Sequence, residues 1–359
     1  MIAFGRGIPA PECLPVEELA DCARAVLLAD GQTVLSYGSA SGYEPLRAWI
    51  AERHGVAVDR VFVTNGGLQG FVFLVQRLAS NGERVLVERP TYDRPLKLLR
   101  EAGAEIVPLE MDEEGLRPEA LEAALAAGSK PAFLYTIPTF QNPSGRTLSL
   151  ERRRRIVALA EEHDVLVLED DPYGLVRFDG ERQPSLLELD DGDRVVYASS
   201  FSKTIAPGLR VGYFILPAAL RAELEATSTS TYITPGLLGE ATVFEFIRRG
   251  NFDTNLERVR HLLRLRRDAM LDSLVTDLGG ANAMWSRPLG GYFVWLELPG
   301  VDTGELLRRS TEAGVGFVTG PDFGGDLSTA RLAYSFVSPD EIREGVSRLA
   351  ALLPSAATR

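Results

Sequence analysis

The chain has 359 residues, 45% of them hydrophobic and 25% charged, and a formal net charge of −12. That length suits two domains better than one small core, and the acidic balance argues against a surface built to neutralise nucleic-acid phosphates. Cys13 and Cys22 are too few for a disulfide scaffold, so a reducing cytoplasm is the default, and His54, His163 and His261 are scattered without metal-ligand spacing.

Residues 1–15 are rich in Gly and Pro and read as an extended arm. They lack the basic start and apolar run of a signal peptide, and no later stretch has the length of a membrane span. A helix is predicted over 16–28, stopped at Gly31. A Gly/Ser loop and an amphipathic helix follow over 35–55. From residue 61 strands and helices alternate. A strand, a Gly-rich turn and an apolar helix occupy 61–79. Strand 84–88 leads to a turn at Pro90 and a helix over 94–102, and 105–125 repeats the strand–turn–helix pattern. Strand 132–136 runs into the Pro/Gly loop 137–145. Helix 150–163, strand 165–170 and strands 194–199 and 211–216 complete the series. Short apolar strands separated by helices indicate α/β architecture, with a mainly parallel sheet covered on both faces.

After Pro217 the pattern changes. The run 243–274 is helical with a break at Gly250. Its arginines fall on a solvated face, because Leu256, Val259, Leu262 and Leu263 supply an apolar stripe. Strand 290–299 follows a Gly-Gly turn. A helix over 303–313, a strand over 329–337 and a terminal helix over 339–353 complete a smaller α+β unit. The expected division is an N-terminal arm (1–12), a large domain (13–250) and a small C-terminal domain (251–359).

The stretch 197–213 concentrates the chemistry. Lys203 follows a strand, Ser200 and Ser202 stand just before it, and Arg210 stands seven residues after it, beyond a bend at Pro207-Gly208. Such a set binds a phosphate and holds an amine beside it, which suits a lysine that forms an imine with pyridoxal 5'-phosphate (PLP). The turn at Gly66, Gly67 and Leu68 sits between a strand and a helix, where backbone N–H groups bind phosphate. Tyr92, just past a strand end, can stack on a flat ring. The stiff loop around Pro138, Pro143 and Gly145 holds Asn142, whose amide can donate to a phenolate oxygen. Asp170 ends a strand at the crevice where open α/β sheets bind ligands, and a carboxylate there keeps a pyridine nitrogen protonated. Tyr173 can bond the same ring oxygen as Asn142. Taken singly, each residue has a plainer reading: a surface charge, a tight turn, a core filler, a turn organiser, a helix cap. Taken together, each behind a strand of one sheet, they describe a PLP site.

The same stretches resemble the fold-type I PLP-dependent aminotransferases of class I/II, in the style of the branch holding 2-aminoadipate aminotransferases and the aminotransferase-like domains of MocR-type regulators. The matching segments run in family order: FGRGIP at 4–9, SYGSASGYEPLR at 36–47, TNGGLQG at 64–70, PTFQNPSG at 138–145, EDDPYG at 169–174, SSFSKTIAPGLRVGY at 199–213, RRGNFDTNLERVRHLLRLRRDAM at 248–270, GGYFVW at 290–295 and RLAYSF at 331–336. The resemblance implies a large domain with a seven-stranded, mainly parallel sheet and a smaller α+β domain. It implies that Lys203, Asp170 and Tyr173 are catalytic. Gly66, Gly67, Leu68, Tyr92, Asn142, Ser200, Ser202 and Arg210 would hold PLP. Arg331 would take the substrate α-carboxylate as a bidentate pair, with Asn142, Arg6 and Gly7 beside the substrate. Tyr37 would reach the phosphate of a neighbouring subunit, which makes a homodimer with shared active sites. Two departures stand out. The family turn reads Gly-Ser/Ala-Gln where this chain has Gly66-Gly67-Leu68, and Arg6 replaces a small residue, which suggests an acidic substrate side chain. The activity implied is transfer of an amino group from an L-amino acid to a 2-oxo acid. Two alternatives stay open: another PLP reaction, such as β/γ-elimination, replacement or oxidative deamination, and a non-catalytic PLP-binding effector domain of a regulator.

Overall fold

A computed structural model describes residues 1–353. Its large sheet runs Val61–Thr64, Gly212–Ile215, Val195–Ser200, Leu166–Asp170, Phe133–Thr136, Arg84–Arg89, Glu105–Asp112 and Gly115–Leu116. The five strands from Val195–Ser200 to Glu105–Asp112 are parallel, and Gly212–Ile215 runs antiparallel to both neighbours. The seven strands expected from the sequence are present. Gly115–Leu116 adds an eighth, a two-residue antiparallel ribbon whose carbonyls accept from the Arg152 guanidinium at 3.2 and 3.3 Å.

The apolar runs form strands because both faces are buried. Val85 and Val87 pack with Phe133 and Tyr135 on one face, while Leu86 and Leu134 join the core on the other. Each fully buried Val or Leu contributes roughly 1.5–3 kcal/mol. Helices then cover the two faces, and the carboxyl ends of the parallel strands collect along one edge.

The smaller sheet is antiparallel, in the order Met284–Trp285, Phe293–Glu297, Thr329–Ala333, Val318–Thr319. In its register Trp295 and Val318 both stand opposite Arg331, which puts this arginine on an interior strand. Helix Asn251–Leu278 is separated from helix Leu237–Arg248 at Gly250, as expected. Cys13 and Cys22 are buried free thiols, and among the described residues no helix is long and apolar enough to cross a membrane.

Three details differ from the sequence reading. The first helix runs Val16–Val34 instead of stopping at Gly31; the chain bends at Asp30 (φ −140°) and the helix resumes. A helix at Ala218–Thr231 was not predicted, because its TSTST tail has poor intrinsic helicity. The hydroxyls of Thr227, Thr229 and Thr231 are satisfied by carbonyls one turn back, at 2.6–2.9 Å. The N-terminal arm is not free: Ile2–Ala3 pairs parallel with Val315–Gly316, Ala333 N–H donates to the Phe4 carbonyl at 2.7 Å, and the Phe4 ring is fully buried.

Candidate active site

Strand register brings the site together. Thr64 and Ser200 both stand opposite Gly212. The turn after Thr64, the segment after Ser200 and Arg210 just before Gly212 therefore meet at one corner of the sheet. Gly66 takes φ +89°, and a Cβ there would lie 2.3 Å from Arg210 Nη2. A Cβ on Gly212 would lie 2.3 Å from the Gly67 nitrogen. The two glycines let the first turn of helix Gly67–Leu78, whose N–H groups have no intrahelical carbonyl, close against a guanidinium. Arg210 Nη1 and Nη2 donate only to the backbone carbonyls of Pro207 and Asn65, both at 3.2 Å, among the described residues. This corner is a cradle for an anion such as phosphate.

The corner opens into a cavity of about 520 Å³ between the large sheet's edge and the smaller sheet. Lys203 stands in it, with Nζ donating to the Gly7 carbonyl at 3.0 Å. The chain has only three lysines; Lys97 and Lys130 are exposed and paired with Glu101 and Asp164. Burial, then the charge of Arg331 and more weakly that of Arg210, lowers the Lys203 pKa to about 8 against the pull of Asp170.

Asp170 closes the far end of the cavity. Its Oδ2 accepts from Tyr135 Oη at 2.7 Å. Burial raises its pKa to about 6, helped by Asp171 and Glu88 and opposed by the Tyr135 bond and by Lys203. A cation placed against it would hold it ionised. Tyr135 escaped the sequence reading; in the fully buried strand Phe133–Thr136 no alternation marks which side chain faces the cavity.

Arg331 is 7% exposed and, among the described residues, has no carboxylate within ion-pair distance. Its Nη1 donates to Asn142 Oδ1 at 2.8 Å and its Nη2 to the Gly5 carbonyl at 3.1 Å, while Nε is buried without a partner among the described residues. The guanidinium lies 4.4 and 4.7 Å from the ring centres of Phe293 and Phe323. A buried cation with an unspent donor calls for an anionic ligand.

Tyr92, Asn142, Tyr173, Ser200, Ser202, Gly7, Gly67 and Leu68 also line the cavity. Burial, reinforced by Asp93 and Asp170, pushes the Tyr92 hydroxyl up to about 12. Tyr173 is held higher still by burial and packs on Tyr292 and Phe293. Two expected residues lie elsewhere. Arg6 is exposed, with its guanidinium 4.0 Å over the Phe336 ring, and does not line this chain's own cavity. In the FGRGIP segment Gly5, Gly7 and Ile8 line the cavity and Arg6 does not; the ring of Phe336 offers its cation a face. Tyr37 is 79% exposed and outside this chain's own cavity.

These residues fit pyridoxal 5'-phosphate. The glycine cradle with Arg210 suits its phosphate, buried Asp170 its ring nitrogen, and Lys203 its carbonyl. Comparison with known proteins points to the same cofactor. The profile of the aminotransferase class I and II family matches residues 3–349. The chain is 34% identical to the aromatic-amino-acid aminotransferase 1 of Thermococcus litoralis, over 98% of this chain and 87% of that protein. It is 38% identical to the 2-aminoadipate transaminase of Thermus thermophilus, over 97% and 89%. A solved structure of LysN, the α-aminoadipate aminotransferase of Thermus thermophilus, complexed with N-(5'-phosphopyridoxyl)-L-leucine, superposes with a TM-score of 0.92 at 37% identity, covering 98% of this chain and 91% of that one.

Proposed function

Because the chain belongs to the class I and II aminotransferases and is a PLP-dependent enzyme of amino-group transfer, we propose that its reaction centres on Lys203 and that the residues around the cavity divide the work among them. Bound there, PLP supplies a carbonyl that takes up the amino group and a protonated ring that accepts electron density from the substrate Cα. The cradle of Gly66, Gly67 and Leu68 backbone, with Ser200, Ser202 and Arg210, holds the phosphate. The Asp170 carboxylate would accept from the ring N–H, and the Tyr135 hydroxyl, which donates to it at 2.7 Å, keeps that carboxylate aimed. Asn142 and Tyr173 would bond the ring oxygen, and Tyr92 would stack on the ring; all three line the cavity.

Arg331 binds the α-carboxylate of the amino donor. The phenyl rings of Phe293 and Phe323 keep water from its guanidinium, which strengthens the pair. That contact fixes the Cα–H bond relative to Lys203. The neutral Lys203 Nζ would take the Cα proton and carry it across the site, and burial, which lowers its pKa to about 8, favours that neutral form. A 2-oxo acid enters by the same contacts and the steps reverse. The acceptor carboxylate uses Arg331 in turn, so one site serves both substrates.

We also propose a homodimer in which Tyr37 reaches a partner's phosphate site. Support comes from its 79% exposure at the end of a segment that also leaves Leu28 and Leu35 exposed. The two buried free thiols suit a reducing cytoplasm.

The observation that carries this reading is one half-buried lysine between a carboxylate and a phosphate cradle, with a buried arginine across the same cavity that has no carboxylate partner among the described residues. The test is the half-reaction. Mixing the holoenzyme with single amino acids, without an acceptor, converts the cofactor to its pyridoxamine form, visible as a loss of visible absorbance, and yields one equivalent of 2-oxo acid. Release of ammonia or a β-substituent with the cofactor unchanged would overturn it.

A further inference from the structure

Selection of the substrate side chain can be inferred only together with the reaction just proposed, on which it rests. In that reaction Arg210 would face the cofactor phosphate, Asp170 the ring nitrogen and Arg331 the α-carboxylate. Every charge of the cofactor and of an amino acid's backbone then has its opposite. Two charged residues lining the cavity remain unassigned, Asp93 and Arg94.

They are not equivalent. Both lie in the first turn of helix Asp93–Glu101, and their side chains approach no closer than 3.6 Å, at 41% and 61% exposure. Two half-exposed neighbours at that distance neutralise each other poorly. Arg94 leans to solvent, and of the cavity's side chains its charge bears on Tyr92. The charge of Asp93 bears on Tyr92, Tyr173 and Arg331, which line the same cavity. A second carboxylate, Asp322, also acts on Arg331; it accepts from Thr319 Oγ1 at 2.7 Å and adjoins Phe323, which lines the cavity. Two carboxylates, Asp93 and Asp322, therefore act on Arg331, and Asp93 itself lines the cavity. Apolar walls from Ile8, Val318 and Phe323 lie alongside it and suit an aliphatic stem.

We propose that Asp93 selects amino donors whose side chain ends in a cation, an amine or a guanidine, and disfavours dicarboxylic donors. A cation there completes the charge pairing of the site, whereas a second carboxylate meets like charge. A carboxylate in the first turn also stabilises the helix it begins, so the test has to separate selection from stability.

The experiment uses the holoenzyme and the half-reaction, with L-ornithine, L-arginine, L-leucine and L-glutamate as donors. The expected result is a kcat/KM for at least one of the two basic donors about tenfold or more above that for L-glutamate. Asp93→Asn lowers the ratio of the better basic donor to L-leucine about tenfold, mainly through KM. Arg94→Gln, which spares Asp93, raises the same ratio. Ornithine against arginine tells amine from guanidine. The inference is overturned if L-glutamate surpasses both basic donors, or if Asp93→Asn slows all four donors alike, as loss of a helix contact alone would do. If no donor converts the cofactor, the functional reading itself falls; if L-leucine converts it and the basic donors do not, only the role of Asp93 falls.

Discussion

Replacing Tyr135 by Phe removes one hydroxyl and leaves a fully buried ring in place, packed 5.3 Å from Phe71. The lost bond is the one to Asp170 Oδ2, at 2.7 Å. A hydrogen bond to a charged group contributes roughly 1.5–3 kcal/mol, which corresponds to about one to two pK units. The bond favours the carboxylate, so its loss moves the Asp170 pKa upward, both from about 6 in the empty site and from the lower value at which a bound ring cation would hold it. Asp170 then takes up a proton at a higher pH and no longer holds the ring nitrogen positive. The acid limb of kcat/KM against pH moves up by about one unit or more, and kcat/KM near neutrality falls on the order of tenfold. The assay is a steady-state pH profile of wild type and Tyr135→Phe with one good donor. Superimposable profiles would refute the argument, because they would mean that Tyr135 neither aims Asp170 nor sets its charge.

Three other outcomes come from the same geometry. Arg331→Met removes the buried cation that binds the α-carboxylate and raises KM for donor and acceptor, by roughly 1.5–3 kcal/mol of charge-assisted hydrogen bonding, in steady-state kinetics. Gly66→Ala forces a Cβ to within 2.3 Å of Arg210 Nη2 at a φ of +89°; it weakens PLP binding about tenfold or more in an absorbance titration of the cofactor-free protein. The rate of PLP uptake by cofactor-free protein rises with pH up to about 8 and then levels, since the neutral amine reacts and burial lowers the Lys203 pKa to about 8. An ordinary lysine would keep accelerating to about 10.4.

Much of the site was legible because parallel strands deliver their carboxyl ends to one edge. A strand recognised by its apolar run locates the functional residue just past it, which is how Asp170, Asn142, Ser200 and Lys203 come together. The sequence is less informative where the signal is a contact between distant segments. Nothing local announces that Arg331 donates to Asn142, 189 positions away, or that Tyr135 faces Asp170 and not the opposite core. Arg6 shows the converse. Its neighbours Gly5 and Gly7 do line the cavity, but successive residues of an extended arm point in different directions, and a cation resting on Phe336 leaves the cavity to them. The helix at Ala218–Thr231 was missed for a similar reason: its tail is stabilised by hydroxyls bonding back along the chain, which composition does not reveal.

The central claim is that Lys203 carries the cofactor, and the three lysines of the chain make it directly measurable. Reduction of the holoenzyme with borohydride, followed by proteolysis and mass spectrometry, fixes PLP on the lysine to which it is joined. The account predicts one phosphopyridoxyl group per chain, on the peptide containing Lys203, with its visible absorbance lost on reduction. A label on Lys97 or Lys130, or no label from a protein that still transfers amino groups, would contradict it.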